Sequence, residues 1–203
     1  MKSENSHTSP IRVVKIVPAN EGGGWVAISL APGKKTLGTF VHWDRDLETD
    51  LDRLKMLGVT TLVPFLTDEE LKRLKIPNLI EAAAERGFAI LRFPFRDGGI
   101  PEKMVEAVQF VRDVIRCYEG GGRVLMHCNG GLGRAGTMAA CVRMALKLDA
   151  DPEVAIACVR VALGLDADPE AAIASVRKLR GERAIETWEQ EDFVARFRAQ
   201  WQT

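Results

Sequence analysis

The chain has 203 residues, enough for one domain with a full core, and its 46% hydrophobic and 28% charged residues are those of an ordinary globular protein. Lys plus Arg and Asp plus Glu both number 28, and a net charge of zero argues against a general nucleic-acid binder. No apolar run reaches the ~18 residues of a membrane helix, which excludes a helical membrane span.

In chain order, residues 1–10 (MKSENSHTSP) are polar, carry no apolar export core, and read as a disordered tail. Residues 11–203 read as a single domain. RVVKIV (12–17) and WVAISL (25–30) are expected strands around a glycine turn at Gly22–Gly24, and APGKK (31–35) is expected as a loop. Leu47, Leu51, Leu54 and Leu57 form a helical stripe over 46–57, stopped by Gly58. VTTLVPF (59–65) is β-branched and apolar, a buried strand. Helices are expected over 68–74 and 77–86, a strand over FAILRF (88–93), and a helix opened by Pro101 and running to about Tyr118. RVLMH (123–127) reads as a short strand, followed by a glycine-rich loop and a long helix from about Arg134, with the remainder to 201 helical. This alternation predicts an α/β domain whose central sheet is mostly parallel and flanked by helices.

The chemistry concentrates in His127-Cys128-Asn129-Gly130-Gly131-Leu132-Gly133-Arg134, between that strand and that helix. Three glycines let successive N–H groups turn inward as an anion nest, and the helix N-terminus adds about half a positive charge at the same point. A cysteine in this field should ionise well below its usual ~8.5, giving a thiolate nucleophile at neutral pH. Arg134 closes the loop with a planar fork suited to two phosphoryl oxygens. The plainer alternative is a glycine-rich turn with an incidental buried cysteine.

HCNGGLGR resembles the HCxxGxxR signature of the protein tyrosine phosphatase superfamily. APGKK, the stretch from Asp46 to IPNL (76–79), FPFRDGGIP (93–101) and KLRGERAIETWEQ (178–190) extend the resemblance to the dual-specificity branch, in particular its kinase-associated phosphatases, over most of residues 25–200. The resemblance implies that Cys128 is the nucleophile forming a phosphocysteine, that Asn129, Gly130, Gly131, Leu132 and Gly133 with Arg134 cradle the phosphate, and that Asp97 is the general acid. Asp97 also stands on its own residues. It precedes the flexible Gly98-Gly99 pair after a predicted strand, so it falls at the same sheet edge as the cysteine loop; the alternative is a turn aspartate capping the next helix. Gln190 resembles the glutamine that positions the attacking water, against a solvated helix residue. His127 is expected to order the loop from behind.

Two departures stand out. Ala135 replaces the Ser or Thr of many family members, so either phosphoenzyme hydrolysis slows or Thr137 substitutes. The loop holds no lysine, unlike the basic loop of phosphoinositide phosphatases.

ACVRMALKLDADPEVAI (140–156) is followed directly by ACVRVALGLDADPEAAI (157–173), identical at 14 of 17 positions, a tandem duplication. It implies an extra helix over 152–163 with Asp151 and Asp168 as N-caps. Its apolar residues need cover: a second chain in a homodimer or domain swap, an internal hairpin, or an exchange of register between the copies.

Cys117, Cys128, Cys141 and Cys158 show no CxxC pairing and His7, His42 and His127 are scattered, so free thiols, a cytoplasmic setting, no metal and no cofactor are expected. The expected substrate is a phosphorylated protein or small phosphomonoester, with phosphotyrosine first. The alternatives are a phosphopeptide-binding module with impaired turnover, and sulfur transfer or arsenate reduction, for which no other cysteine is placed to resolve Cys128.

Overall fold

The computed structural model describes residues 2–37, 41–148 and 185–201. A five-stranded sheet forms its centre from β2 (Val14–Val17), β3 (Trp25–Ser29), β6 (Thr61–Pro64), β7 (Ala89–Ile90) and β8 (Arg123–His127), in the order β2-β3-β8-β6-β7. All neighbours are parallel except the antiparallel β2–β3 pair. This is the expected mostly parallel α/β sheet.

Strand alternation divides the core. Val26, Ile28, Val63, Val124 and Met126 face one side, under α4 (Met104–Glu119), α5 (Gly133–Ala145) and α6 (Trp188–Trp201). Trp25, Ala27, Leu62 and Leu125 face the other, under α1 (Leu47–Met56), α2 (Asp68–Arg73) and α3 (Leu79–Glu85). Local signals set the helix ends: Asp46 accepts from the Thr49 N–H at the start of α1, and Thr67 and Glu70 form a reciprocal capping box at the start of α2. Helix α5 is buried on nearly all sides, which its run of Ala135, Gly136, Ala139 and Ala140 permits.

Several expectations are corrected. Residues 2–10 are not a disordered tail. β1 (Lys2–Glu4) pairs in parallel with β5 (Val41–Asp44), Ser6 is buried, and the Ser9 carbonyl accepts from Arg45. Backbone pairing holds this polar segment where its side chains carry no signal. β4 (Lys35–Leu37) and β5 form an antiparallel pair after the 31–35 turn, in a second, three-stranded sheet with β1. Helix α4 begins at Met104, because Lys103 takes the extended N-cap conformation ahead of it. The strand expected over 88–93 is regular only at Ala89–Ile90. Beyond it Leu91, Phe93 and Phe95 still donate to Leu62, Pro64 and Phe65, so the chain runs beside β6 and carries Asp97 to the cysteine loop. Helix α5 ends at Ala145, and Ile185–Thr187 are not helical. The extra helix over 152–163, its caps, Cys158 and the second repeat copy lie outside the described residues, and the dimer or domain swap expected through that helix lies there with them.

Among the described residues no helix is long and apolar enough to cross a membrane, and no cluster of His, Cys, Asp or Glu could hold a metal ion.

Candidate active site

β8 ends at His127 between Ser29 of β3 and Pro64 of β6, so Cys128 leaves the sheet at its carboxyl edge, where parallel α/β sheets gather their ligands. The loop then folds back on β3. Gly131 has φ +72°, and a Cβ there would stand 2.1 Å from the Ser29 carbonyl oxygen. No other residue type fits that approach. Its N–H donates to Sγ of Cys128 at 3.2 Å, and Cys128 is 3% exposed. Gly130 is exposed at the mouth, and Leu132 is the N-cap of α5. Gly133 opens that helix, and a Cβ on it would meet the Glu186 carboxylate at 2.5 Å.

Arg134 is 1% exposed and held on three sides. Its Nη1 donates to Glu70 Oε2 at 2.8 Å and to the Phe65 and Phe95 carbonyls at 3.0 and 2.6 Å; its Nη2 donates to Glu70 Oε1 at 2.7 Å and Asp97 Oδ1 at 2.9 Å. Its Nε is buried and has no hydrogen-bond partner among the described residues. Burial works against the guanidinium charge, but the Glu70 hydrogen bonds and the proximity of Cys128 and Asp97 more than offset it, so the pKa is raised. Burial likewise works to raise the Glu70 carboxyl, while Arg134 and the Thr67 N–H hold it below the ordinary carboxylate value. The site therefore keeps a fixed cation beside Cys128, with one donor unspent among the described residues.

Asp97, its side chain 47% exposed, sits at the solvent side of this arginine. It does not cap α4. Gln190 is fully buried, contrary to a solvated helix residue: its Nε2 donates to the Gly99 carbonyl at 3.1 Å and its Oε1 accepts from the Glu186 N–H at 2.7 Å. It ties the loop after Asp97 to the C-terminal segment and packs against Gly133. The Thr137 hydroxyl donates to the Gly133 carbonyl at 2.9 Å, one turn back in its own helix. His127 is buried; burial above all lowers its pKa to about 4, a backbone hydrogen bond at Cys128 works against this and the Arg134 charge adds to it, so the ring is neutral.

The sequence thus brought together Cys128, Arg134 and Asp97. It missed Glu70, whose only signal was the Thr67-x-x-Glu70 capping box, and Lys34, whose Nζ is 3.0 Å from the Asn129 carbonyl oxygen.

Comparison with known proteins agrees with this geometry. The model of the cyclin-dependent kinase inhibitor 3 family matches residues 11–156. Cyclin-dependent kinase inhibitor 3 from Homo sapiens is 30% identical over 181 residues, covering 86% of this chain and 77% of that protein. The crystal structure of kinase-associated phosphatase, solved with its catalytic-site cysteine replaced by serine, has a TM-score of 0.72 at 26% identity, covering 97% of this chain and 99% of that one. Tk-PTP in its active form gives 0.61 at 22% identity, covering 92% and 96%, a likeness of fold alone. With a family match over most of its length and a cysteine–arginine loop of the matching kind, the chain belongs to the cyclin-dependent kinase inhibitor 3 family, cysteine-dependent phosphatases of the dual-specificity type.

Proposed function

We propose that this chain hydrolyses phosphate monoesters through a phosphocysteine on Cys128, with phosphotyrosine as first substrate and phosphoserine and phosphothreonine as further ones. The observation that carries the reading is the buried Arg134 Nε, a charged donor with no hydrogen-bond partner among the described residues, next to a loop whose Gly131 amide already points at the Cys128 sulfur. The loop amides and that Nε bind the phosphoryl oxygens and hold the charge of the transition state.

In the first step the Cys128 thiolate attacks phosphorus, the bond to the leaving oxygen breaks, and Asp97 gives that oxygen its proton. For this the substrate's phosphoryl group takes over the Arg134 fork and frees Asp97 from its present ion pair. In the second step Asp97 takes a proton from water, water attacks phosphorus, the P–S bond breaks, and inorganic phosphate leaves with the thiolate restored. Gln190 joins the Asp97 loop to the C-terminal segment and sets the height of that loop over the cradle, beside the water it is expected to position. No metal or cofactor enters either step. The names of the relatives point to a phosphorylated protein, a kinase among the partners, and a reducing cytoplasmic setting keeps Cys128 a thiol.

Turnover of an aryl phosphate by wild type and Cys128→Ser, with tungstate binding measured on both, tests the reading. Turnover is expected to vanish in the variant while tungstate still binds. A variant that keeps substantial turnover refutes it.

A second reading, a phosphopeptide-binding module with impaired turnover, draws on Ala135 and on Thr137, whose proton is committed to Gly133, which together leave the departing thiolate without a hydroxyl donor. A single burst of product without steady turnover would select it.

A further inference from the structure

We infer that Lys34 is a positioning residue for the phosphate loop: from outside the loop it fixes the Asn129 peptide so that the amide after it faces the bound oxyanion. This rests on the phosphatase reading above and deepens it.

Lysine is seldom buried, yet Lys34 is 4% exposed. Its ammonium lies 3.0 Å from the Asn129 carbonyl oxygen and 3.3 Å from Asn129 Oδ1, and 4.5 Å above the Trp43 ring. The same carbonyl accepts the Ala31 N–H at 3.2 Å. A trans peptide is planar, with its C=O and N–H pointing in opposite directions. Two donors pulling the Asn129 carbonyl toward the 31–34 turn therefore aim the Gly130 N–H away from that turn. Gly130 stands between the nucleophile and Gly131, whose own N–H reaches Cys128 Sγ. Without the charged donor, the Ala31 contact alone holds the peptide against rotation.

The turn that presents Lys34 is itself anchored. Gly33 has φ +70°, and a Cβ on it would meet Leu47 at 2.6 Å. Its N–H donates to Asp50 Oδ2 at 2.9 Å, a carboxylate fixed in a buried pair with Arg45. One residue on, the Lys35 N–H donates to the Leu74 carbonyl at 2.9 Å. The lysine is thus held by elements on both sides of it, and the ammonium that the loop sequence lacks is brought to it from residue 34.

The test is the inhibition constant of inorganic tungstate, a phosphate mimic, in wild type and Lys34→Met, which keeps the stem over Trp43 and removes the ammonium. A rise of about tenfold is expected, the size of one charge-assisted hydrogen bond, with the KM for an aryl phosphate rising alongside and the Lys34→Arg variant recovering part of it. A folded Lys34→Met protein whose tungstate constant stays within about twofold of wild type overturns the inference, even if it melts earlier, because a merely structural prop would lower stability alone. Reductive methylation of the wild-type chain, read lysine by lysine with and without tungstate, decides the matter if that variant does not fold. By linkage, tungstate should slow labelling of Lys34 and leave Lys15 unchanged; no slowing at Lys34 overturns the inference. A wild-type chain that neither turns over aryl phosphate nor binds tungstate removes the phosphatase reading and this one together, whereas normal wild-type behaviour with an indifferent Lys34 removes this one alone.

Discussion

Arg45 and Arg134 are both 1% exposed, and each grips a carboxylate with two nitrogens. Around Arg45 every nitrogen is engaged: Nε and Nη2 hold Asp50 at 2.7 and 2.8 Å, and Nη1 reaches the Ser9 carbonyl at 2.8 Å. Asp50 is 1% exposed and takes the Gly33 N–H as well. Around Arg134 the pairing is bidentate too, but Nε is left over and its second carboxylate, Asp97, is half exposed. A closed ion pair fastens chain segments to one another. An ion pair with an unspent donor and a partner that solvent can reach is poised to accept something else. The two arginines differ in what they have left, and burial alone does not tell them apart.

Substitution should break the two pairs differently. Arg45→Met leaves the buried Asp50 carboxylate without its cation, at a cost of about 3–5 kcal/mol. Arg134→Lys keeps a positive charge beside Glu70 but should lower aryl phosphate turnover on the order of 10³-fold, since an ammonium cannot span Glu70 and two phosphoryl oxygens. Arg45→Met should lose stability in urea unfolding and keep the turnover of the protein that remains folded. If both variants lost turnover alike, the distinction drawn between them would fail.

The neutral, buried His127 behind the loop gives a pH signature of nearly the same size. Its folded pKa of about 4 lies below the ordinary 6.5, so on acidification the unfolded chain binds the proton first. Its contribution is complete above pH 6.5 and is lost as pH falls toward 4, about 3 kcal/mol in all. Glu70, held below its ordinary value, acts in the same sense at lower pH, as its carboxylate is titrated in the fold. Stability curves of wild type and His127→Leu should converge in slope above pH 6.5 and diverge below it. Parallel curves throughout would show that the ring is not held neutral.

The smallest change expected is at Asp97, the exposed partner. Asp97→Asn should slow an aryl phosphate with a poor leaving group about 10²-fold, leave one with a good leaving group nearly untouched, and remove one limb of the pH profile. Equal losses on both substrates would mean that Asp97 serves Arg134 and not the leaving oxygen.

How far the sequence could be read follows from how local each signal is. The strand RVLMH, the glycine loop and the helix after it are contiguous, so Cys128 and Arg134 could be placed from spacing and chemistry. Asp97 followed from the rule that parallel strands present their carboxyl ends together. Glu70 and Lys34 join the loop across 64 and 95 residues of chain, and nothing in a capping box or in APGKK says which partner the fold will bring. The β1–β5 pairing was hidden for a different reason: backbone hydrogen bonds hold it, and a polar segment shows no side-chain period. The Gln190 amide was legible as a motif, yet its contact with Gly99 depends on how α6 packs on α5.

The central claim is that Cys128 carries the phosphoryl group. Acid quenching of the wild-type chain during turnover of an aryl phosphate, followed by peptide mass mapping, reads this directly. The account predicts the mass of one phosphoryl group on the peptide containing Cys128, absent in Cys128→Ser; steady product release with no adduct on that peptide at any quench time would contradict it.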